Sequence, residues 1–279
     1  MNTYSLKHNA KYTLIHLFLL TVAITCLFPL FWMLRCSLMS LETIFVDKSL
    51  IPRMINFGNY LTAWTEGHFG VYFLNSVFYT TSVVLGIVII ASLAAYAFSR
   101  LEFPGKNFFF YMFIAAMMIP LPGSFVPLYV LMNKLGLINS RIGYILCMIN
   151  VGLSTSIFLL KTFFDKMPKD LEDAARIDGC GRLGIWWHVA LPLARPALAV
   201  IVIFNSLNVW NEYILANLLL NDNSLMPLQR GLMKFWGGHS IDYPVLMAGL
   251  TIAAVPIILI YLAMQKHIIK GLSSGAVVG

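Results

Sequence analysis

The sequence predicts an all-α integral membrane protein with six transmembrane helices, and three observations support this fold class. Of the 279 residues, 59% are hydrophobic and 11% are charged, whereas soluble domains hold about 45–50% apolar and about 25% charged residues. Six apolar stretches reach the length of about 20 residues that crosses a bilayer core. Lys and Arg are unevenly shared between the segments that alternate with these stretches. A globule with so few charges would lack a polar surface, so much of the chain must face lipid.

Each apolar stretch is predicted to form one membrane span. The six spans are residues 13–34, 71–98, 107–131, 142–160, 197–218 and 244–265. The first could be taken for a signal peptide, but its apolar run is too long and it ends at Arg35 rather than at small residues. The third is predicted to break at residues 120–123 and again at Pro127, because proline frees backbone carbonyls. Carbonyls freed in this way must face protein or water rather than lipid.

The distribution of positive charge predicts the orientation of the spans. With the amino terminus inside, the inside segments are 1–12, 99–106, 161–196 and 266–279, and they hold 12 Lys and Arg. The outside segments, 35–70, 132–141 and 219–243, hold 7 in a similar total length. Positive residues favour the cytoplasmic side. We therefore expect both termini in the cytoplasm. The net charge of +7 is then no sign of nucleic-acid binding.

The sequence offers few arrangements of residues that could bind a metal or a nucleotide or carry out catalysis. The four cysteines and six histidines are scattered, without a CxxC pair or metal-ligand spacing. The Gly-Lys pair at Gly105 lacks the preceding glycine of a phosphate loop, so ATP would have to be bound by a partner subunit. The predicted spans from the second to the sixth contain a single carboxylate, Glu212. We expect no catalytic residue, no metal and no cofactor in this chain.

The predicted cytoplasmic loop, residues 161–196, contains two short helices. Pro168 is expected in the first turn of the first helix, and the helix dipole favours the acidic residues that follow, Asp170, Glu172 and Asp173. Gly179 is suited to end this helix. A second helix over residues 182–190 is expected to end before Pro192. Small side chains make this pair either a knob that docks into a groove on another protein or an amphipathic element on the lipid surface.

Residues 172–179, with Leu191-Pro192 twelve residues later, resemble the EAA loop of ABC importer permeases (E-A-A-x-x-D-G, then a hydrophobic residue and Pro). Asp173 stands where the family usually has Glu, and Cys180 where Ala is common. The resemblance implies that residues 168–192, called the EAA loop below, dock onto the ATP-binding subunit and transmit its closure. The residues implied in this coupling are Glu172, Asp173, Ala174, Ala175, Asp178 and Gly179.

Further motifs are similar to the carbohydrate branch of these permeases, and above all to the six-helix subunit of the maltose type. They are Asn75-Ser76, residues 103–106, residues 135–137, residues 210–212 and residues 265–279. The resemblance implies an ABC importer type-1 permease fold in the inner membrane of a bacterial cell. It also implies a second permease subunit, either a paralogue, which the family pattern favours, or a second copy. It also implies an ATP-binding subunit dimer and an extracytoplasmic sugar-binding protein. The expected domains are residues 1–70, a permease core at 71–266, and a tail at 267–279 that reaches toward the ATPase.

Polar residues in the fifth span are candidates for lining a sugar path. Asn205, Asn208 and Glu212 share one helical face at i, i+3 and i+7. Asn211 lies beside them, and Trp210 could stack on a sugar ring. An unpaired carboxylate in hydrocarbon is costly, so this face should meet protein or water. The alternative is that these side chains hydrogen-bond neighbouring helices.

Three functions are alternatives to sugar import. An ABC permease for glycerol phosphate or a polyol is the nearest alternative, although the spans offer no Arg or Lys for a phosphate. A secondary carrier or channel would need no ATPase, but it leaves the EAA loop without a role. An intramembrane enzyme would need paired catalytic side chains, which the spans do not show.

Overall fold

A computed structural model describes residues 3–65, 68–233 and 242–276, without the side chains of residues 3–11, 121, 264 and 266–276. Within these ranges the chain is helical and has no strand, as the all-α prediction requires. The α-helices, in chain order, are α1 (Thr3–Ser37), α2 (Gly58–Thr65), α3 (Phe69–Arg100), α4 (Lys106–Ala116), α5 (Phe125–Lys134), α6 (Arg141–Asp165), α7 (Asp170–Ile177), α8 (Arg182–Ile185), α9 (Leu191–Leu193), α10 (Arg195–Asn211), α11 (Ile214–Leu219), α12 (Leu228–Leu232) and α13 (Tyr243–Ala276).

Four of the described helices are long and apolar enough to cross a membrane alone. They are Tyr12–Ser37, Phe69–Arg100, Arg141–Asp165 and Tyr243–Ala263. A fifth candidate is a pair bent by 78°, Arg182–Leu193 with Arg195–Asn211. The predicted fifth span, 197–218, is therefore not one helix, because α10 ends at Asn211 and α11 restarts at Ile214.

The third predicted span is divided, as its prolines indicate. Helix α4 ends at Ala116, and Pro120 is extended with φ −66° and ψ 126° before a 3-10 turn at Leu121–Ser124. The break expected at residues 120–123 is thus present. The second expected break, at Pro127, is wrong, because α5 runs through it from Phe125. Pro127 lies in the first turn of α5. Backbone N–H groups of a first turn have no acceptor within the helix, so the missing N–H of proline costs no hydrogen bond there.

The chain forms two compact units. The first consists of Met1–Phe69 and Leu232–Ala254, and the second of Gly70–Gly231 and Val255–Gly279. Of the segments expected to lie outside the membrane or in the tail, residues 66–67, 234–241 and 277–279 lie outside the described residues. The backbone of the tail is helical as far as Ala276.

In the first unit, buried side chains fold the segment after α1 onto the end of that helix. Arg35 is 2% exposed and donates from Nε to Ser49 O (2.6 Å) and from Nη2 to Asp47 O (2.5 Å). Asn59 of α2 donates from Nδ2 to Ser37 O (2.8 Å) and Met39 O (2.7 Å). Backbone carbonyls that a loop would expose to water are therefore satisfied by two side chains. This segment is a folded element rather than a free connection.

The core of the second unit lies where α3, α6 and α10 meet. Its fully buried apolar side chains include Val83, Ile87, Ala91, Ile157, Leu160 and Ile201. Gly152 of α6 allows the close approach, because a Cβ there would overlap Asn205 Oδ1 and Ile87 Cδ1. Small residues commonly permit such contacts between membrane helices.

Candidate functional site

The first helix of the EAA loop, α7, begins at Asp170, two residues after the proline that was expected in its first turn. Lys169 O accepts from the N–H of Glu172 (2.9 Å) and of Asp173 (3.0 Å), so Lys169 is the cap residue. Pro168, expected in the first turn, lies before the cap. The three acidic residues, Asp170, Glu172 and Asp173, do occupy the first turn, where the helix dipole favours negative charge.

Gly179 ends α7, as the sequence predicts. Its φ of +86° lies in the left-handed region, and its N–H donates to Arg176 O (3.0 Å). The N–H of Cys180 donates to Ala175 O (2.9 Å). These two bonds form a Schellman motif, in which glycine avoids the strain that a Cβ would bring.

The second part of the loop extends further than expected. After α8, residues Trp186–Ala190 form a π-helical turn in which Leu191 N–H donates to Trp186 O, and helical conformation continues in α9 to Leu193. The prediction that the helix ends before Pro192 is therefore wrong. Pro192 is the second residue of α9 and directly follows the π-helical turn. Its missing N–H is tolerated at this position in the first turn of α9.

Glu172 points into the protein and pairs with the end of α3. The Arg100 and Glu172 side chains are 5% and 3% exposed, and Arg100 Nε donates to Glu172 Oε1 at 2.6 Å. Tyr96 OH donates to Glu172 Oε2 (3.3 Å), and Arg100 Nη2 donates to Met167 O (2.6 Å). Arg100 thus holds both α7 and the chain three residues before that helix, at Met167. Sequence reasoning missed Arg100 and Tyr96, although their i, i+4 spacing at the end of an apolar run was a usable signal.

The remaining predicted coupling residues divide between two faces of α7. Ala175 is buried with Glu172, whereas the others are exposed, namely Asp173, Ala174, Asp178 and Gly179. Asp173 pairs on the surface with Arg176 Nη1 at 2.8 Å. Ile177 is 86% exposed beside them. The exposed residues Asp173, Ala174, Ile177, Asp178 and Gly179 are called the α7 surface below, and they combine a bare apolar side chain with carboxylates.

Two of the predicted path residues hold helices together. Asn205 is 6% exposed and donates from Nδ2 to Ser156 Oγ of α6 (3.1 Å) and to Ile201 O (2.9 Å). Trp210 is 3% exposed, and its ring lies edge-on to Phe73 of α3 with centroids 5.7 Å apart. The geometry of Asn205 matches the alternative in which these side chains hydrogen-bond neighbouring helices, and Trp210 packs against α3.

Glu212 lies at the break between α10 and α11. Its carboxylate accepts from Leu215 N–H (2.6 Å), Ala216 N–H (3.1 Å) and Tyr144 OH (3.0 Å). The side chain thus satisfies free N–H groups at the start of α11, where the helix dipole also favours a negative charge. Tyr144 was missed by sequence reasoning, since nothing in the sequence links it to Glu212.

The other two predicted path residues are accessible. Asn208 and Asn211 are exposed and lie three residues apart on α10. Asn211 Oδ1 accepts from Gln229 Nε2 at 3.5 Å, and its Nδ2 donates to Leu207 O at 2.9 Å. The exposed amides of Asn208 and Asn211, with the half-buried amide of Gln229 beside them, are groups through which this face can hydrogen-bond a ligand.

At the end of α3 opposite Arg100, three side chains hold the segment before α12. Asn75 Nδ2 donates to Ser224 O (2.8 Å) and Met226 O (3.0 Å), while Asn75 Oδ1 accepts from Arg141 Nη2 (3.2 Å). The other two bonds run from Tyr79 OH to Leu225 O (2.8 Å) and from Leu228 N–H to Ser76 Oγ (2.8 Å). The group Asn75, Ser76 and Tyr79 is called the Asn75 clamp. It explains why Asn75-Ser76 was a recognisable motif.

The clamped segment has its own local order. Asp222 Oδ1 accepts from Ser224 N–H at 2.8 Å, and this backbone hydrogen bond lowers the pKa of Asp222 below its ordinary value. Asn139 Oδ1 accepts from the N–H groups of Asn221 (3.0 Å) and Asp222 (2.9 Å).

Among the described residues, no group of three His, Cys, Asp or Glu side chains could hold a metal ion.

Long apolar helices around a tightly packed core, with a capped loop helix bound to the end of one span, define a helical membrane transport subunit. The chain belongs to the family of binding-protein-dependent transport system inner membrane components, whose model matches residues 86–274. This membership confirms that the chain is an ABC importer permease embedded in a membrane, and that it is a transport component and not an enzyme.

Known proteins resemble the chain over most of its length. The probable ABC transporter permease protein YurM of Bacillus subtilis (strain 168) is 36% identical, over 95% of this chain and 87% of that protein. The diacetylchitobiose uptake system permease protein NgcG of Streptomyces coelicolor is 33% identical, over 93% and 87%. A chain in the crystal structure of a bacterial ABC transporter for import of the acidic polysaccharide alginate superposes with a TM-score of 0.83. It is 26% identical, over 94% of this chain and 98% of that chain.

Proposed function

We propose that this chain is one permease subunit of an ATP-driven, binding-protein-dependent sugar importer and forms half of its translocation pathway. Family membership supports the transport role. The sugar class is supported by relatives such as the diacetylchitobiose permease, at 33% identity, and by the alginate transporter. The single observation that carries the mechanism is α7, a helix with one buried, anchored face and one bare face that a partner can cover.

The proposal implies three partners. The sequence has no phosphate loop, so an ATP-binding subunit dimer must supply the energy. A second permease subunit, which we expect to be a paralogue, completes the pathway, and an extracytoplasmic binding protein delivers the sugar. For the α7 surface to meet the ATPase, the EAA loop and both termini must be cytoplasmic.

The geometry suggests how closure of the ATPase moves the spans. The partner would cover the α7 surface, where Ile177 offers apolar area and Asp173 and Asp178 offer charge. Because Glu172 on the opposite face is paired with Arg100, α7 cannot shift without pulling on α3. Drawing two such loops together would convert an inward-open pathway to an outward-open one.

Co-purification with an ATPase tests this proposal. The chain would be co-expressed with the ATP-binding and permease subunits of its own transport system, as wild type and as Ile177→Asp. Ile177 is 86% exposed, so the substitution should leave the fold intact and weaken capture of the ATPase at least tenfold. Leu135→Asp is the matched control, since Leu135 is 60% exposed and lies on the side predicted to be outside.

Three results are informative. Loss of the ATPase in Ile177→Asp alone would support docking on the α7 surface. Equal capture by both variants would place docking elsewhere. If the wild-type chain never associates with an ATPase, the importer proposal fails and a carrier or channel becomes the better explanation.

A further inference from the structure

We infer that α3 carries the movement of α7 to the predicted outer segment 222–228, with Arg100 and Asn75 as the positioning residues at its two ends. This inference rests on the proposed function, because it needs an ATPase that moves α7. Residues 70–100, α7 and segment 222–228 belong to the same compact unit. All contacts in the argument therefore lie within one unit.

At the Arg100 end, the attachment of α7 to α3 is tight and buried. Arg100 bonds both Glu172 and Met167 O, and Tyr96 OH bonds the same carboxylate. Both charged side chains are at least nine-tenths buried. Breaking the pair would leave an uncompensated charge away from water, so the two helices must move together. The surface pair Lys106–Glu102 nearby, with Glu102 90% exposed, carries no such constraint.

At the opposite end, the Asn75 clamp holds backbone rather than side chains. Both amide hydrogens of Asn75 are directed to carbonyls two residues apart, Ser224 O and Met226 O. Tyr79 OH holds the carbonyl between them, that of Leu225. A segment held by three consecutive carbonyls follows the helix that holds it. Its displacement would not depend on which side chains it carries.

Between its two ends, α3 is built as a stiff element. It contains no proline, whereas α1 contains Pro29 and α13 contains Pro256. Arg100 follows Asn75 by 25 positions, which correspond to about 38 Å at the helical rise of roughly 1.5 Å per residue. Val83, Ile87, Ala91 and Ala95 are fully buried at intervals of four, so one face is continuously packed. A packed helix without an internal proline transmits a shift with little loss.

The other routes from α7 are less direct. Along the chain, helix α6 is joined to α7 by the non-helical residues 166–169, and α10 reaches the loop across a bend of 78°. Ser99 Oγ donates to Asp165 Oδ1 at 2.7 Å, which ties the end of α6 to α3 as well. Substitution of Arg100 would remove its side-chain bonds between α3 and α7 but leave the covalent connection between α6 and α7 intact. The effect of this substitution therefore distinguishes transmission through α3 from transmission through α6.

The experiment measures movement of the outer segment in the assembled transporter. Asn223 is exposed in the clamped segment and would be replaced by cysteine after the four native cysteines are removed. The rate of labelling by a membrane-impermeant maleimide is compared between the nucleotide-free complex and the complex trapped with ATP and vanadate. The parent should change its rate at least fivefold on trapping. Arg100→Gln and Asn75→Leu should reduce that change to below twofold, and Lys106→Gln should preserve it.

Controls separate this inference from the proposed function. ATPase co-purification and ATP hydrolysis are measured for each variant, so a chain that fails to assemble is recognised as such. Asn75→Leu lies far from the EAA loop and should keep both activities, which makes it a valid test even if Arg100→Gln does not assemble. Combining Arg100→Glu with Glu172→Arg should recover part of the labelling change. A parent without any change, or assembled Arg100→Gln and Asn75→Leu complexes that keep it, would overturn the inference.

Discussion

Two glycines of the EAA loop show how a single residue determines where α7 ends. Gly179 has a φ of +86° and Gly181 a φ of −71°, and a Cβ at either position would have no atom within 4 Å. Space is therefore equal at the two sites, and only the backbone conformation differs. The left-handed conformation strains any residue with a Cβ. The pair isolates the conformational contribution of glycine to the loop.

Gly179→Ala is expected to destabilise the loop, whereas Gly181→Ala should be nearly neutral. The cost at Gly179 should be about 1–2 kcal/mol, the usual strain of an L-residue in the left-handed region. Denaturant unfolding followed by the fluorescence of Trp186 and Trp187, with the other tryptophans replaced, would measure both variants. Equal stabilities for the two variants would contradict this assignment.

The polar residues of α10 are expected to act differently according to their exposure. Replacing both Asn208 and Asn211 by Leu should lower sugar transport at least tenfold and leave ATPase co-purification unchanged, because both amides are exposed. Asn205→Leu is the matched comparison, since its amide bonds Ser156. It should lower stability by about 0.5–1.5 kcal/mol through the loss of this buried hydrogen bond, while the Ser156 hydroxyl keeps its bond to Gly152 O. Uptake by proteoliposomes and thermal unfolding would measure the two effects, and full transport by the double variant would remove these residues from the path.

At the scale of elements, the packing of α6 against α3 and α10 depends on one position without a side chain. Gly152 faces Asn205 and Ile87 so closely that a Cβ would overlap both. The break in the third predicted span and the break after Asn211 are also element properties. Prolines cause the first, whereas the capping carboxylate of Glu212 accounts for the second.

Gly152→Ala should therefore destabilise the second unit. Overpacking of this kind typically costs about 1–3 kcal/mol. Gly123→Ala is the control, because a Cβ there would have no atom within 4 Å and its φ is not positive. The midpoint of thermal unfolding in detergent should fall for Gly152→Ala alone. Unchanged midpoints for both variants would mean that the side chains of Asn205 and Ile87 can move aside at no cost, and would contradict this prediction.

At the scale of the whole molecule, the distribution of positive charge and the proposed docking of the α7 surface favour the same orientation in the membrane. The predicted inside segments hold 12 Lys and Arg against 7 outside, and they include the EAA loop. The opposite orientation would place the α7 surface outside the cell, where no ATP is available to a partner. The orientation is thus a condition of the proposed mechanism.

Topology reporters are expected to confirm cytoplasmic termini. Green fluorescent protein fused after Gly279 should fluoresce, and alkaline phosphatase fused after Asn139 should be active. Asn139 lies in a predicted outside segment, and each reporter works on only one side of the membrane. The exchanged fusions serve as controls and should be inactive. If the exchanged fusions were active instead, the orientation would be the opposite of the predicted one, with both termini outside the cytoplasm.

Much of the fold followed from local sequence. Long apolar runs predicted the spans, Pro120 and Pro122 predicted a broken third span, and Gly179 predicted the end of α7. Each of these depends on residues a few positions apart, so sequence patterns suffice. The local errors were of the same kind, since Pro127 and Pro192 each lie in a first turn that tolerates proline.

The sequence by itself determined the membrane class and the all-α fold, and it predicted the position of the EAA loop. Only the tertiary structure decided which groups meet: Arg100 with Glu172 across 72 residues, Asn75 with Ser224 across 149, and Tyr144 with Glu212 across 68. Helical periodicity shows which residues share a face, but not which neighbouring helix that face contacts. For this reason Glu172 was predicted to be a coupling residue, but its attachment to α3 could be read only from the packed helices.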